Sequence, residues 1–577
     1  MTAITEPLPP SRAESLLGVA AALVAAVMLF CGLGTIPLMQ PDEGRNAEVS
    51  REMAATGSWL VPTLEGHPYL DKPAAYFAAV SVSIRLFGVN EWGARVPSAT
   101  CGMLILVCVY FFAKRAYDRS TASLAVIVVA TSPMFFAFSR IVIMDIALAL
   151  CTVAAILAGF RAEDGDRPDR RWHALGAAAA GLGMLVKGPV GALVPAAVLI
   201  VFFWADGRKR ALVRVFAPLN FVIVLGLFLP WFAALVYAHP EFAHYGLVEE
   251  TFNRFFTKAF NRGQPFWYFG PALLESLLPW TVLFVPMTFA AWSARRRLTS
   301  ADRLFIVWTI VVILFFSTSR TKQPGYILTG VIAAAVLVGR GLGYAWRHRE
   351  GRAARLVARG SLAFAATAAL AAAALGYAVF RGSASAARLA AMPTDTRALW
   401  QLWPTLLVVL LVAAGLGAAG FASRRIAISA AAFALVPLAL LTVALPGVTA
   451  FARARSAKPL AEALATLPPD TELACLDSYP AGLSFYLGRT VTIISENAEP
   501  LRSNFILYWL KHEAARSATL VAMSAREEWR ASRTGPAYVV ASESVRPDLQ
   551  AWLGANATVT DLAPEWAGVS VTPAGGR

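Results

Sequence analysis

Several ionisable side chains in this sequence sit where a mostly apolar chain has little reason to carry them. Residues 40–57 read Gln-Pro-Asp-Glu-Gly-Arg-Asn-Ala-Glu-Val-Ser-Arg-Glu-Met-Ala-Ala-Thr-Gly. Pro41 suits the first turn of a helix and Gly57 its end. On that helix Asp42 and Arg45 share a face by i,i+3 spacing, although Asp42 and Glu43 read equally well as complements to the helix dipole. Residues 69–73 are Tyr-Leu-Asp-Lys-Pro. Pro73 holds Lys72 extended, so that its ammonium either projects toward a site or snorkels at an interface. Asp145 stands at the start of an apolar run, near no cation in sequence but Arg140. At mid-span such a residue costs about 2.5–3.5 kcal/mol on insertion scales, somewhat less near an end, and it normally faces a watered cavity. Lys187 occupies a tight Lys-Gly-Pro turn, and residues 319–326 read Ser-Arg-Thr-Lys-Gln-Pro-Gly-Tyr, with Lys322 and Tyr326. Residues 239–265 add His244, Glu249, Glu250, Asn253, Arg254, Asn261 and Arg262, interleaved with Phe252, Phe255, Phe256 and Phe260. Cations of this kind stabilise a phosphate leaving group, while a carboxylate handles an acceptor proton or a sugar ammonium.

These groups must be positioned by membrane helices. The chain is 57% hydrophobic and 15% charged, where a soluble domain has about half apolar and a quarter charged residues. Apolar runs such as 16–39, 216–238 and 399–421 match the roughly 20 residues that cross a bilayer. The net charge of +15 comes largely from clusters in short loops: Lys114-Arg115, 167–171, 208–210, 295–297, 347–355 and Arg424-Arg425. That is the signature of cytoplasmic loops, not of a nucleic-acid groove. With the N-terminus cytoplasmic and a retained first span, every cluster stays inside if residues 73–88 lie along the outer interface as an amphipathic helix. About thirteen spans result: 15–38, 95–113, 120–138, 145–160, 172–186, 190–205, 211–237, 271–292, 303–318, 326–345, 358–380, 399–421 and 427–449. The polar groups singled out above then gather on the outer face, within a transmembrane part of residues 1–450 whose juxtamembrane helices occupy 39–94. Residues 451–577 form an outer, soluble α/β domain, with strand-like runs at 491–494, 519–522 and 538–541. The basic and aromatic mixture at 239–265 fits a lipid phosphate at headgroup depth as well as it would fit a nucleic acid. Nucleotide sugars are not available on the outer side, which favours a lipid-carried sugar donor.

Other motifs carry little. Asp164-Gly-Asp166 mimics a nucleotide-sugar motif but lies in a short arginine-rich cytoplasmic loop. No Walker A loop, dinucleotide fingerprint or zinc signature is present, and the five cysteines make no disulfide framework.

The sequence Gln-Pro-Asp-Glu-Gly-Arg-Asn-Ala-Glu-Val-Ser-Arg-Glu-Met at 40–53 is followed by Asp71-Lys-Pro73, Asp145, Met184-Leu-Val-Lys-Gly188 and Thr321-Lys-Gln-Pro-Gly-Tyr-Ile-Leu328. This order resembles the aminoarabinose transferases of lipid A, in the GT-C superfamily near the protein O-mannosyltransferases, over residues 15–450. The resemblance implies a GT-C fold of thirteen spans with outer juxtamembrane helices and a periplasmic C-terminal domain, in the inner membrane. It implies inverting transfer of 4-amino-4-deoxy-L-arabinose from undecaprenyl phosphate to lipid A phosphates, which confers polymyxin resistance. Carried over by position, Asp42 is the catalytic carboxylate, Lys72 and Arg45 hold the donor phosphate, and Asp145 is the second acidic residue of the cavity. Glu43, Tyr69, Asp71, Lys187, Arg254, Arg262, Lys322 and Tyr326 complete the expected substrate-binding set. No cofactor is required. A divalent cation stays open, with Asp71, Asp145 and His244 as candidate ligands. The expected partners are the undecaprenyl-phosphate-linked donor, the lipid A acceptor and membrane lipids, without nucleic acid. Three residues depart from the family pattern: Asp71, where Glu is more usual, and Gly44 and Asn46, which point to a different sugar if they face it. A sister enzyme moving another sugar onto lipid A core or protein is the alternative. A flippase is a third reading, for which the expected internal repeats are not evident.

Overall fold

The computed structural model describes residues 11–571, apart from 166, 257–262, 294, 513–518, 555–556 and most positions between 383 and 399. The first half consists of α1 (Arg12–Phe30), α2 (Asp42–Thr56), a hairpin of β1 (Thr63–Leu64) and β2 (His67–Pro68), α3 (Ala75–Phe87), α4 (Glu91–Ala116), α5 (Arg119–Ala130), α6 (Pro133–Phe138), α7 (Asp145–Ala162), α8 (Arg170–Lys187), α9 (Val190–Ala205), α10 (Lys209–Val215) and α11 (Pro218–Ala238). Long helices continue over Ser300–Ser317, Leu328–Arg347, Arg352–Phe380, Trp403–Ser423 and Ile426–Thr442.

This is a multi-pass membrane protein. Among the described residues, eight helices are long and apolar enough to cross a bilayer, or ten spans if each of two bent pairs counts as one. Each of the thirteen expected segments contains helix, and the lower count reflects short or broken ones together with α8, which carries Arg170, Arg171 and Lys187. Residues 120–138 divide into α5 and α6 at Thr131-Ser132, just before Pro133, whose missing N–H and fixed φ start a new helix. The segment 271–292, read as one span, is instead two helices bent by 114° where Pro279 interrupts it. Thr131 caps that junction from the other side by accepting a hydrogen bond from the Trp280 indole at 2.9 Å.

At one end of the bundle lie the juxtamembrane elements. The stretch 73–88 holds α3, a helix of 13 residues, too short to span. Its buried face, with Phe77 and Val80, packs on α2, while Val82 and Leu86 stay exposed, an arrangement suited to an interface. Helix α2 ends at Gly57, whose φ of 73° suits a left-handed cap. Its residues from Glu43 to Met53 are almost all buried despite their polarity, so each polar side chain needs a partner.

Much of the cover over α2 comes from the C-terminal α/β unit. Strands β3 (Glu472–Leu476), β4 (Thr492–Ile494), β5 (Leu520–Val521), β6 (Ala537–Ser542), β7 (Thr560–Ala563) and β8 (Trp566–Val571) form one sheet of order β5-β4-β3-β6-β8-β7. Its first four strands in that order run parallel, and β8 joins β6 antiparallel. Alternation along β3 explains its two-sided burial. Leu473 and Cys475 join a core with Val49 and Met53 of α2 and Phe77 of α3. Ala474 and Leu476 face a separate core with Trp529 and Leu549.

Candidate functional site

A cavity of about 440 Å³ opens between α7, α8, α9, α11, the 242–255 segment and the 315–329 segment. Its wall is apolar over most of its area, with Leu148, Val190, Leu193, Phe228, Phe232, Phe315 and Phe316. The indole N–H of Trp231 is buried on that wall with no hydrogen-bond partner among the described residues. Six charged side chains complete the lining: Asp71, Asp145 and Glu250 against Lys72, Lys187 and Arg254. The site is therefore balanced in formal charge and oily over most of its wall.

Each charged residue arrives by a local feature of its element. Lys72 precedes Pro73 and meets Glu250, which also pairs with Arg254. Glu250 and Arg254 come from a wide-turned π-helix over Tyr245–Asn253 and the short helix that follows it, a geometry frequent at functional sites. Burial pushes the Lys72 ammonium down to about 8, against the pull of Glu250. Asp145 begins α7, Lys187 ends α8 before Gly188, and the two form an ion pair of 2.7 Å. Tyr326 joins the two ionic groups, because its ring lies 5.6 Å from Lys187 Nζ and its hydroxyl accepts from Arg254 Nε at 3.4 Å. Gly325 is needed beside it: a Cβ there would meet Phe138 at 2.5 Å and Asp145 at 3.2 Å.

Asp71 is fixed from outside the membrane part. It accepts from the Tyr245 hydroxyl at 2.9 Å and from the backbone N–H groups of Phe505 and Asn504 at 2.7 and 3.2 Å. Those amides open the helix Asn504–His512, where unsatisfied N–H groups favour an anion. The C-terminal unit thus reaches a residue that lines the cavity.

The other expected residues lie elsewhere. Asp42 is absent from the cavity lining. It sits in the first turn of α2, its side chain 58% exposed, paired with Arg45 at 2.5 Å. Arg45 also donates to the Arg502 carbonyl and lies 5.9 Å over the Tyr69 ring, so a polar chain runs from Asp42 through Arg45 and Tyr69 toward Asp71. Tyr69 itself is buried against Phe77 rather than lining the cavity. Glu43 is part of the scaffold. It holds Arg95 through both oxygens, at 2.7 and 2.8 Å, and accepts from the Met39 and Val142 amides. Lys322 is buried and not part of the lining, and it donates at 2.6 Å to the carbonyl of Ser319, which is. Arg262 lies outside the described residues.

The expected metal ligands do not converge. His244 stacks on Tyr508, which is 3.3 Å from its Nδ1. Among the described residues one group of three carboxylates is close enough to share a cation: Glu48, Glu52 and Glu65, buried between α2, the hairpin and the sheet. Its members are already served. Arg51 takes Glu48 at 2.6 and 2.8 Å, Glu52 accepts from Thr63 and the Glu65 and Gly66 amides, and Glu65 accepts from Tyr479 and the Val491 amide. Burial, with Glu52 beside it, pushes Glu65 up to about 7.

Two departures from the family pattern also face away from the cavity. A Cβ on Gly44 would meet the Ala481 carbonyl oxygen at 2.2 Å, so glycine lets α2 touch the C-terminal unit. Asn46 is buried and donates to the Val142 carbonyl at 2.8 Å. Neither position lines the cavity. Sequence reasoning passed over Tyr245 and the 504–505 amides. Ser503-Asn504 ahead of the apolar Phe505-Ile-Leu is a helix-start signal, and Ser503 does accept from the Ile506 amide at 3.2 Å, but no local feature ties it to Asp71.

Similarity to known proteins follows the same residues. The family model described as dolichyl-phosphate-mannose-protein mannosyltransferase matches residues 71–233, which run from Asp71 through Asp145 and Lys187. The undecaprenyl phosphate-alpha-4-amino-4-deoxy-L-arabinose arabinosyl transferase of Erwinia tasmaniensis is 32% identical over 305 residues, covering 52% of this chain and 55% of that protein. The protein of that name from Yersinia enterocolitica is 30% identical over 322 residues, covering 55% and 57%. The chain thus spans about half the length of the curated relatives it matches. A solved structure extends the likeness: ArnT from Cupriavidus metallidurans bound to undecaprenyl phosphate has a TM-score of 0.81 at 25% identity, over 97% of this chain and 98% of that one. The apo form of the same protein gives 0.78. By these matches, and by a fold shared over nearly its whole length with ArnT, the chain is similar to the aminoarabinose transferases.

Proposed function

We propose that this protein is an inverting glycosyltransferase that moves 4-amino-4-deoxy-L-arabinose from undecaprenyl phosphate to lipid A phosphate groups at the outer face of the inner membrane, lowering the surface negative charge that draws polymyxin and cationic peptides. The observation that carries this reading is the cavity itself: a mostly oily space between membrane helices whose lining also holds Lys72 and Arg254. A polyprenyl phosphate has the same two halves. ArnT of Cupriavidus metallidurans, solved with undecaprenyl phosphate, shares the fold around it.

In the proposed step an ionised acceptor phosphate oxygen attacks the anomeric carbon. The bond from that carbon to the carrier phosphate breaks, and the electron pair leaves on the carrier. Lys72 and Arg254 stabilise that anion, so no general acid is needed. Arg254 takes the place expected of Arg45, which is occupied by Asp42 and a carbonyl. Asp145, with Lys187, flanks the sugar. Asp42, exposed at the edge and linked inward through Arg45, orients the incoming acceptor. Lys72 and Arg254 already bring the positive charge a cation would add, so a chelator is expected to leave transfer intact.

The placement of basic loop clusters supports a cytoplasmic N-terminus and an outer site. A cysteine introduced at exposed Glu543 is expected to react with an impermeant thiol reagent in intact spheroplasts; labelling only after lysis would reverse the topology. Purified protein given the amino-sugar donor and lipid A should add one or more aminopentose masses by mass spectrometry. Transfer from a hexose or uronic acid donor instead would replace the sugar assignment with that of a sister enzyme.

A further inference from the structure

Glu250 is held differently from Asp71 and Glu43. Asp71 is anchored by two backbone amides and a tyrosine hydroxyl, and Glu43 by two amides and an arginine. Glu250 uses one oxygen, Oε1, to take both Lys72 and Arg254. Its other oxygen is buried with no partner among the described residues. Its hold therefore rests on two side chains that themselves line the cavity. A phosphate offers the same two donors equivalent anionic oxygens, and two buried anions cannot share one pair of cations without a large mutual penalty. Glu250 and a bound phosphate compete for one seat.

Charge balance then limits what the ligand can be. The lining is neutral as it stands, three carboxylates against three cations. A phosphodiester that takes Lys72 and Arg254 leaves the Glu250 carboxylate buried and unpaired, which is costly. Asp145 retains Lys187 and Asp71 retains its amides, so the deficit falls on Glu250. A ligand that carries an ammonium beside its phosphate removes the deficit.

We propose that Glu250 is an exchangeable counter-ion that sets donor specificity, yielding Lys72 and Arg254 to the donor phosphate and then pairing with the donor's amino group. This rests on the polyprenyl-phosphate reading of the cavity and adds to it the residue that selects a cationic sugar.

The test compares two donors that differ only at the sugar amine: the undecaprenyl-phosphate amino sugar and the same lipid with its amine acetylated, which removes the charge and adds an acetyl group. Wild-type protein is expected to bind the free amine more tightly by about tenfold or more, the scale of one charge-assisted bond. Glu250→Gln is expected to lose most of that preference while binding the acetylated donor more tightly than wild type does. Because the acetyl group's bulk is present in both proteins, it cancels between them. Glu250→Asp, which keeps the charge, should retain the preference, and it carries the test if the Gln variant does not accumulate. An unchanged preference in Glu250→Gln, or its loss in Glu250→Asp, would overturn the assignment. Failure of the wild type to bind either lipid would instead overturn the polyprenyl-phosphate reading itself.

Discussion

Two groups of carboxylates largely shielded from water behave as opposites. Glu48, Glu52 and Glu65 lie between α2 and the C-terminal sheet, and Glu52 and Glu65 accept from backbone amides and hydroxyls of the scaffold. Asp145 and Glu250 face open space and are paired with lysine and arginine side chains that line the same cavity. Both groups are largely shielded from water and each includes an ion pair, so burial and charge do not separate a clamp from a site. What separates them is the partner. Backbone donors cannot leave without unfolding the element that carries them, whereas side-chain ion pairs beside a void exchange with a ligand's charges. Asp71 stands between the two classes, anchored by backbone yet part of the lining. It couples the clamp to the cavity.

The sharpest test of this division is Asp42, which belongs to neither buried group. If it orients the acceptor, Asp42→Asn removes the charge and keeps the shape. Transfer should then fall by about a hundredfold or more, within the range of positioned acid–base groups, with normal membrane levels and unchanged donor binding. Near-normal transfer would reduce it to an exposed ion pair with Arg45, whose loss costs about 0.2–1 kcal/mol. Next comes Lys72→Ala, expected to weaken undecaprenyl phosphate binding by about tenfold, the share of one charge-assisted bond. Because the lysine sits near 8, wild-type binding should weaken as pH rises through about 8. Lys72→Arg should flatten that profile, and a pH-independent wild type would remove Lys72 from the phosphate seat.

On the clamp side the readout moves from transfer to stability. Glu65→Ala strands the Tyr479 hydroxyl and the Val491 amide, at about 1–3 kcal/mol for each buried group left unpaired, and should lower membrane level and melting temperature while sparing turnover per folded molecule. The folded-state value of Glu65 lies above its ordinary value. Its contribution is therefore complete below the ordinary carboxylate range and is lost as pH rises through about 7. Thermal melts of the wild type should show that decline, and Glu65→Gln should not. The smallest effect on transfer is expected of Gly44→Ala. Its Cβ collides with Ala481, so overpacking costs about 1–3 kcal/mol, while sugar choice, measured with competing donors, stays as in the wild type. A changed sugar preference would place α2 closer to the substrate than its contacts with the sheet allow.

The sequence by itself determined that this is a membrane protein, because roughly 20 apolar residues in a row leave few other folds open. It also marked residues 73–88 as too short and too polar to span, and Lys72, Asp145, Lys187, Arg254 and Tyr326 as unusual, since an ionisable group beside an apolar run carries a cost visible in one dimension. Local signals such as Pro41 and Gly57 were enough to delimit α2. The tertiary structure alone decided pairing. Nothing near Asp145 in the chain points to Lys187, nor near Lys72 to Glu250, because ion pairs across helices depend on which ends the fold brings together. The same limit hid the reach of Asn504 and Phe505 to Asp71, and made Glu43 look like a site residue when it holds Arg95. It also left the bend in 271–292 unread, because hydropathy records how apolar a segment is and not whether its axis runs straight. Charge and spacing say which residues need partners; only the packed chain says whether the partner is the scaffold or the ligand.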